Sequence, residues 1–169
     1  MEISKGVPSG WRFFPALLLL VFCAGQAFAG GKGMTLKIMV EQEVTVTNEK
    51  GEKETRRVAA NKIVPGDEVI YTIHYLNSSS APAKGVFITI PVAEHTRYRN
   101  ESARGADTEI TFSVDGGKHF AAPDHLAVPV GNGRQRPATA ADYTHIKWKF
   151  NAPVPPGASG AVSYRAVLE

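Results

Sequence analysis

Five histidines, His74, His95, His119, His125 and His145, are the residues of this chain best suited to chemistry near neutral pH, because imidazole titrates there and ligates metals when neutral. A metal site needs two or three of them gathered with a carboxylate, ideally closely spaced on one strand face. No His-x-His pair occurs. The arrangement left is His119, His125 and His145, which flank the long stretch 121–142 and its exit. His74 alternates with Thr72 and Leu76 and is expected to be partly buried and hydrogen-bonded. A serine nucleophile would want a strand-to-helix elbow, and Gly157-Ala158-Ser159-Gly160 lacks that frame. Asp67 and Glu68 point to opposite faces if they enter a strand, so they do not form an acid and base pair. The expectation is a protein that is not an enzyme and needs no cofactor. Arg134, Arg136, Tyr143, His145 and Trp148 are the candidate binding residues, because the long stretch and its exit concentrate polar and aromatic groups.

Strands must position these groups, because alternation with period two recurs along the chain and helical periodicity does not. Leu36, Ile38 and Val40 begin the pattern, Val44 and Val46 continue it, and 55–58 returns after a polar turn at 48–52. Pro65, Gly66 and Asp67 form a turn, proline presetting one backbone angle and glycine supplying the positive one. The segment 68–76 follows, with Val69, Tyr71, Ile73 and Tyr75 on one face and Ile70, Thr72, His74 and Leu76 on the other. Apolar groups on both sides predict a central strand of a packed sheet. Further strands are expected at 86–90, 110–114, 146–150 and 162–168, giving seven to nine in all. The stretch 121–142 is long for a loop in a small domain, and a short strand at 125–130 would account for it. Ser113-Val114-Asp115-Gly116-Gly117-Lys118-His119-Phe120 resembles an Asp box, with His119 and Phe120 in its last two places. There Asp115 and Gly117 are structural: the carboxylate accepts backbone N–H groups while glycine takes the positive angle. Many strands with Gly/Pro turns argue for a sandwich or barrel.

The N-terminus has the order of a secretory leader: Lys5 and Arg12, an apolar run over 13–24, then Ala27-Phe28-Ala29. Residues 1–29 are therefore expected to be removed, leaving no transmembrane anchor, since the apolar run is shorter than the roughly 20 residues a spanning helix needs. Cleavage also removes Cys23, the one cysteine, so the mature chain would hold no disulfide. Phe22 stands before Cys23 where a lipidation signal wants a small residue. About 140 residues remain, the size of one ordinary domain. Loss of Glu2, Lys5 and Arg12 lowers the formal charge of +3 by one. So mild a balance, on an exported chain, does not point to nucleic acid. Basic residues cluster modestly as Arg56, Arg57 and Lys62, as Arg97, Arg99 and Arg104, and as Arg134 and Arg136. Lys147 and Lys149 flank Trp148, and their common face is expected to be a solvated one. Such clusters could also meet an acidic partner.

The run Ile63-Val64-Pro65-Gly66-Asp67-Glu68-Val69-Ile70-Tyr71-Thr72-Ile73, then Asn77, then a strand closing at Pro91 resembles the conserved-repeat domain of bacterial and archaeal surface proteins, the domain of unknown function numbered eleven. The resemblance covers roughly residues 62–168. The usual Asp-x-Leu-Pro ending appears here as Thr89-Ile90-Pro91, in a single copy. It implies an all-β, immunoglobulin-like antiparallel sandwich exported to the envelope, with no enzymatic activity. Residues 30–61 would supply an N-terminal strand and hairpin, and 62–169 the remainder of the same domain. The functional expectation is a non-catalytic structural or protein-interaction module, secreted to the periplasm or cell surface, whose partner is an envelope protein or an anionic envelope polymer. The alternative is a soluble ligand- or metal-binding protein using the histidine-bearing loop 119–145.

Overall fold

A computed structural model describes residues 33–169. The leader at 1–29, its cleavage site and Cys23 lie outside the described residues. The alternating segments become antiparallel strands: β1 (Met34–Thr47), β2 (Lys53–Ala59), β3 (Glu68–Asn77), β4 (Phe87–Pro91), β5 (Thr96–Tyr98), β6 (Arg104–Gly105), β7 (Thr108–Ser113), β8 (Ala127–Pro129), β9 (Gln135–Pro137), β10 (His145–Phe150) and β11 (Ser159–Leu168). The larger sheet has the order β2-β1-β3-β11-β5, with β6 also on β11, and the smaller has the order β4-β10-β7. Their inner faces share one core, making the all-β immunoglobulin-like sandwich expected from the sequence. The eleven strands among the described residues exceed the seven to nine expected. The surplus is β5, β6 and β9, of two or three residues each, too short for alternation to register. Among the described residues no helix is long and apolar enough to cross a membrane.

Inward residues of β3 and β11 pair in register, Ile73 with Val162, Tyr71 with Tyr164 and Val69 with Ala166. Ile146 and Trp148 of β10 and Ile88 of β4 face them from the smaller sheet, all essentially inaccessible to solvent. Burying each such side chain stabilises the fold by about 1.5–3 kcal/mol. Tyr71 stacks on Tyr164 at 4.8 Å between centroids, and Phe112 stacks on Tyr143 at 4.4 Å.

The outer face of β3 departs from the expectation of a strand packed on both sides. Ile70 is buried there, but Leu76 and His74 are exposed, because among the described residues no second layer lies over this face. His74 is thus a surface residue rather than a partly buried one.

Two turns set the strand entries. Between Val64 and Asp67 the chain turns through Pro65 and Gly66: Asp67 N–H donates to the Val64 carbonyl at 2.9 Å, and the Asp67 carboxylate accepts the Val64 N–H. Gly66 takes φ +98°, the angle this turn requires and β-carbon-bearing residues resist. At the far end of β3, fully buried Asn77 ties three segments. Its Nδ2 donates to the Ala81 and Val154 carbonyls at 2.9 Å each, and its Oδ1 accepts from Ser79 N–H and Oγ. Replacing Asn77 with Ala strands these partners in a largely desolvated site, so the free energy of unfolding should fall by roughly 2–4 kcal/mol. Urea melts of the two proteins measure this, and a difference below about 0.5 kcal/mol would show that the amide is dispensable.

Candidate functional site

The two sheets differ in width, and the mismatch creates the most distinctive surface. Tyr98 of β5 packs on Phe112 of β7, and Tyr164 of β11 on Trp148 of β10. The smaller sheet therefore runs out at β4, on the side where the larger one continues through β1 and β2. Register puts Leu36, Ile38 and Val40 of β1 on the inner face beside Tyr75, Ile73 and Tyr71, with Val58 of β2 beside Gln42 on that same face. Inner-face positions should be buried, yet Ile38 is 46 % exposed, Val40 39 % and Val58 38 %.

The backbone beside this stripe is also open. β1 pairs with β3 over Met34 to Glu41, but with β2 only from Glu41 to Thr47. Residues 34–39 therefore present one ladder edge with no partner among the described residues. Lys37 is the one charged side chain on that edge. β2, the other long edge, carries Lys53, Glu54, Arg56 and Arg57, which is how edges are normally protected from adding strands. Among the described residues β4 has no second neighbour either, so two open edges flank the apolar stripe.

The residues picked out in sequence are dispersed. Trp148 and Tyr143 are core residues and cannot contact a partner. The reading of them as binding groups is corrected by burial: Trp148 lies on the inward side of β10, and Tyr143 stacks on Phe112 in the core, where burial pushes its phenol pKa up. Arg136 is likewise engaged rather than free. Its guanidinium forms two 2.7 Å bonds to the Asp142 carboxylate, which also accepts from Thr139 N–H and Oγ. Arg134 is exposed at the tip of the β8–β9 hairpin, where its N–H donates to the Gly131 carbonyl at 3.0 Å. The long stretch 121–142 holds this hairpin and two 3-10 turns, Pro123–His125 and Ala140–Asp142.

The three loop histidines do not form a ligand set. His119 Nδ1 lies 2.6 Å from Asp115, His125 is exposed beside Asp124 at 3.6 Å, and His145 is half-buried over Gly117 and bonded to Thr144 Oγ1 at 3.2 Å. Among the described residues no group of three or more His, Cys, Asp or Glu side chains could hold a metal ion. Asp115 instead ties its own turn, accepting from Lys118 N–H, His119 N–H and Ser113 Oγ, while Gly117, at φ +83°, donates to Ser113 Oγ. On the smaller sheet's outer face Lys147 is not merely solvated. Its Nζ lies 3.7 Å from the Phe120 ring centroid, a cation–π contact.

Sequence reasoning missed an ion network on the outer face of the larger sheet. Arg165 of β11 bonds Glu43 of β1 through two nitrogens at 2.8 and 3.1 Å, and Glu68 of β3 at 2.6 Å. Arg57 Nε reaches Glu43 at 3.4 Å, and Arg99 Nε reaches Glu68 at 2.9 Å. The hydrogen bond from Arg165 holds the Glu43 carboxyl below its usual range, and the same bond, with that to Glu68, raises the Arg165 pKa. The signal available in sequence was the outward parity of Glu43, Arg57, Glu68 and Arg165 on their strands. Compared with known proteins, the chain matches no family model, and no curated protein is significantly similar to it.

Acid should weaken this protein in two windows. Burial lowers the His145 pKa from 6.5, so the folded state resists the proton that the unfolded chain takes up, and stability falls as pH drops below about 6.5. Asp115 and Asp142 are held well below their usual 3.8, by the His119 backbone N–H and by Arg136 respectively. Their contribution is complete above about pH 4 and is lost as pH falls further. Thermal melts from pH 8 to pH 2 should show both steps, with His145→Gln abolishing the upper and Asp115→Asn shrinking the lower. Melting curves that stay flat from pH 6.5 to 4.5 would remove His145 from this account.

Proposed function

We propose that the protein is an exported, non-catalytic interaction module of the cell envelope that accepts an extended segment of an envelope protein along the open edge of β1. One observation carries this reading: among the described residues, 34–39 leave a ladder edge unpaired beside the exposed inner-face side chains of Ile38 and Val40. A strand added there would gain main-chain hydrogen bonds, and alternate side chains would cover Leu36, Ile38 and Val40. Such pairing needs no catalytic residue. The leader-like N-terminus and the resemblance to conserved-repeat surface domains, which rests on motif residues alone, support the envelope as its setting.

Site-specific photo-crosslinking in the producing cell tests this. A photoreactive residue at Lys37 should trap one envelope protein, and Ile38→Lys should abolish the product, while a melting curve shows that the exposed substitution leaves the fold intact. Trapping from position 134 and not from position 37 would return the contact to the β8–β9 hairpin and overturn the proposal.

A further inference from the structure

The opposite face of the same sheet carries a second surface, independent of the strand-accepting edge. A shallow groove of about 440 Å³ runs across the outer face, with Arg57, Arg99, Arg104 and Arg165 along it. The only carboxylates lining it are Glu68 and Glu101. Glu68 is shared between Arg165 and Arg99, and Glu43, just outside, between Arg165 and Arg57. The network therefore has three guanidinium groups on two carboxylates, and in the groove Arg104 adds a fourth cation and Glu101 a third carboxylate.

The manner of pairing matters more than the count. Among the described residues the Arg57 side chain donates a hydrogen bond only through Nε, to Glu43, and Arg99 pairs with Glu68 through Nε at 2.9 Å, with no hydrogen bond from the Nη groups of either. Arg104 uses only Nη1, donating to the carbonyls of Glu101 and Ala103 at 2.7 and 2.9 Å. The side chains of Arg57 and Arg99 remain 52 % and 61 % exposed. Guanidinium groups already fixed at one end lose less freedom on engaging an anion, and their planar forks suit carboxylate, sulfate or phosphate.

We infer that this groove binds an acidic polysaccharide. The groove's lining comes from β2, β3, β11 and the β5–β6 connection, a span that fits a chain lying across several strands. Polar Asn100, Ser102 and Ser163 stand among the arginines, matching a hydroxyl-bearing chain. The groove has no aromatic side chain on which nucleobases could stack, and its one apolar residue, Ile70, is buried and so cannot insert into a bilayer.

Titration calorimetry with the domain and two probes, polygalacturonate and heparin, tests the inference against neutral dextran. Both acidic glycans should bind, dextran should not, and affinity should fall with added salt as released counterions predict. The triple variant Arg57→Gln/Arg99→Gln/Arg104→Gln should lose about tenfold in affinity or more, equivalent to 1.4 kcal/mol, with a shallower salt dependence. Lys84→Gln, at an exposed lysine outside the groove, should change nothing. If the triple variant fails to fold, Arg57→Gln and Arg99→Gln separately should each weaken binding severalfold. The inference is overturned by equal affinity in the folded triple variant, by failure of both glycans to bind, or by binding to polyglutamate or phosphatidylglycerol vesicles with no binding to either glycan.

Discussion

The contact of β10 with β11 and β3 is the constraint from which the other features follow. Ile146 and Trp148 on one side, with Val162, Tyr164 and Ile73 on the other, are all at or below 1 % exposure. No comparable apolar layer exists elsewhere among the described residues. At about 1.5–3 kcal/mol for each side chain, this region outweighs every surface interaction in the molecule. It also limits coverage: a smaller sheet of three strands centred on β10 can cover only as far as β4 on one side and β7 on the other. On the β7 side Tyr98 and Tyr143 fill the corner around Phe112. On the β4 side Leu36 still packs against the core, but among the described residues no strand lies beneath Ile38 and Val40 of β1 or Val58 of β2. The open stripe is thus a consequence of sheet widths, not of a local defect.

Parity along each strand then decides what the two faces of the larger sheet carry. On β1 the even positions from Leu36 to Val46 are mostly apolar and turn inward, and Lys37, Glu41 and Glu43 turn outward. A shift of one residue in the β1–β3 register would exchange those faces, burying charge and exposing Leu36. The Glu43–Arg165 pair opposes such a slip from outside, because its bonds close only when Glu43, Glu68 and Arg165 share the outer face.

How much of this was legible in the sequence depended on range. The strand 68–76 and the Pro65-Gly66 turn could be read directly, because alternation and positive-φ chemistry are local. Asp115 could be read for the same reason, its partners lying within four residues. Strands β5, β6 and β9 could not, since two or three residues hold no period. Trp148 was picked as a binding residue because its type was weighed without parity. Trp148 alternates with Lys147 and Lys149, and that alternation already assigned it to the core. Arg165 and Glu43 stand 122 residues apart, and nothing in either neighbourhood announces the other.

The same range explains why the ion network bears more on recognition than on stability. Its members are partly exposed, and pairs of that kind contribute about 0–1 kcal/mol each, less in salt. Removing one would scarcely move a melting curve. Yet Arg57 reaches the groove from β2, Arg165 from β11, and Arg99 and Arg104 from either end of the β5–β6 connection, which Tyr98 Oη secures by accepting the Ser102 and Ala103 N–H groups. Long cationic side chains on separate elements ordinarily lose considerable rotamer freedom when they converge on a ligand. Here Glu43 and Glu68 already hold Arg57, Arg165 and Arg99 in place before any ligand arrives. A pair too weak to matter for folding can therefore matter for binding, because it has already ordered the side chains that the ligand would otherwise have to order.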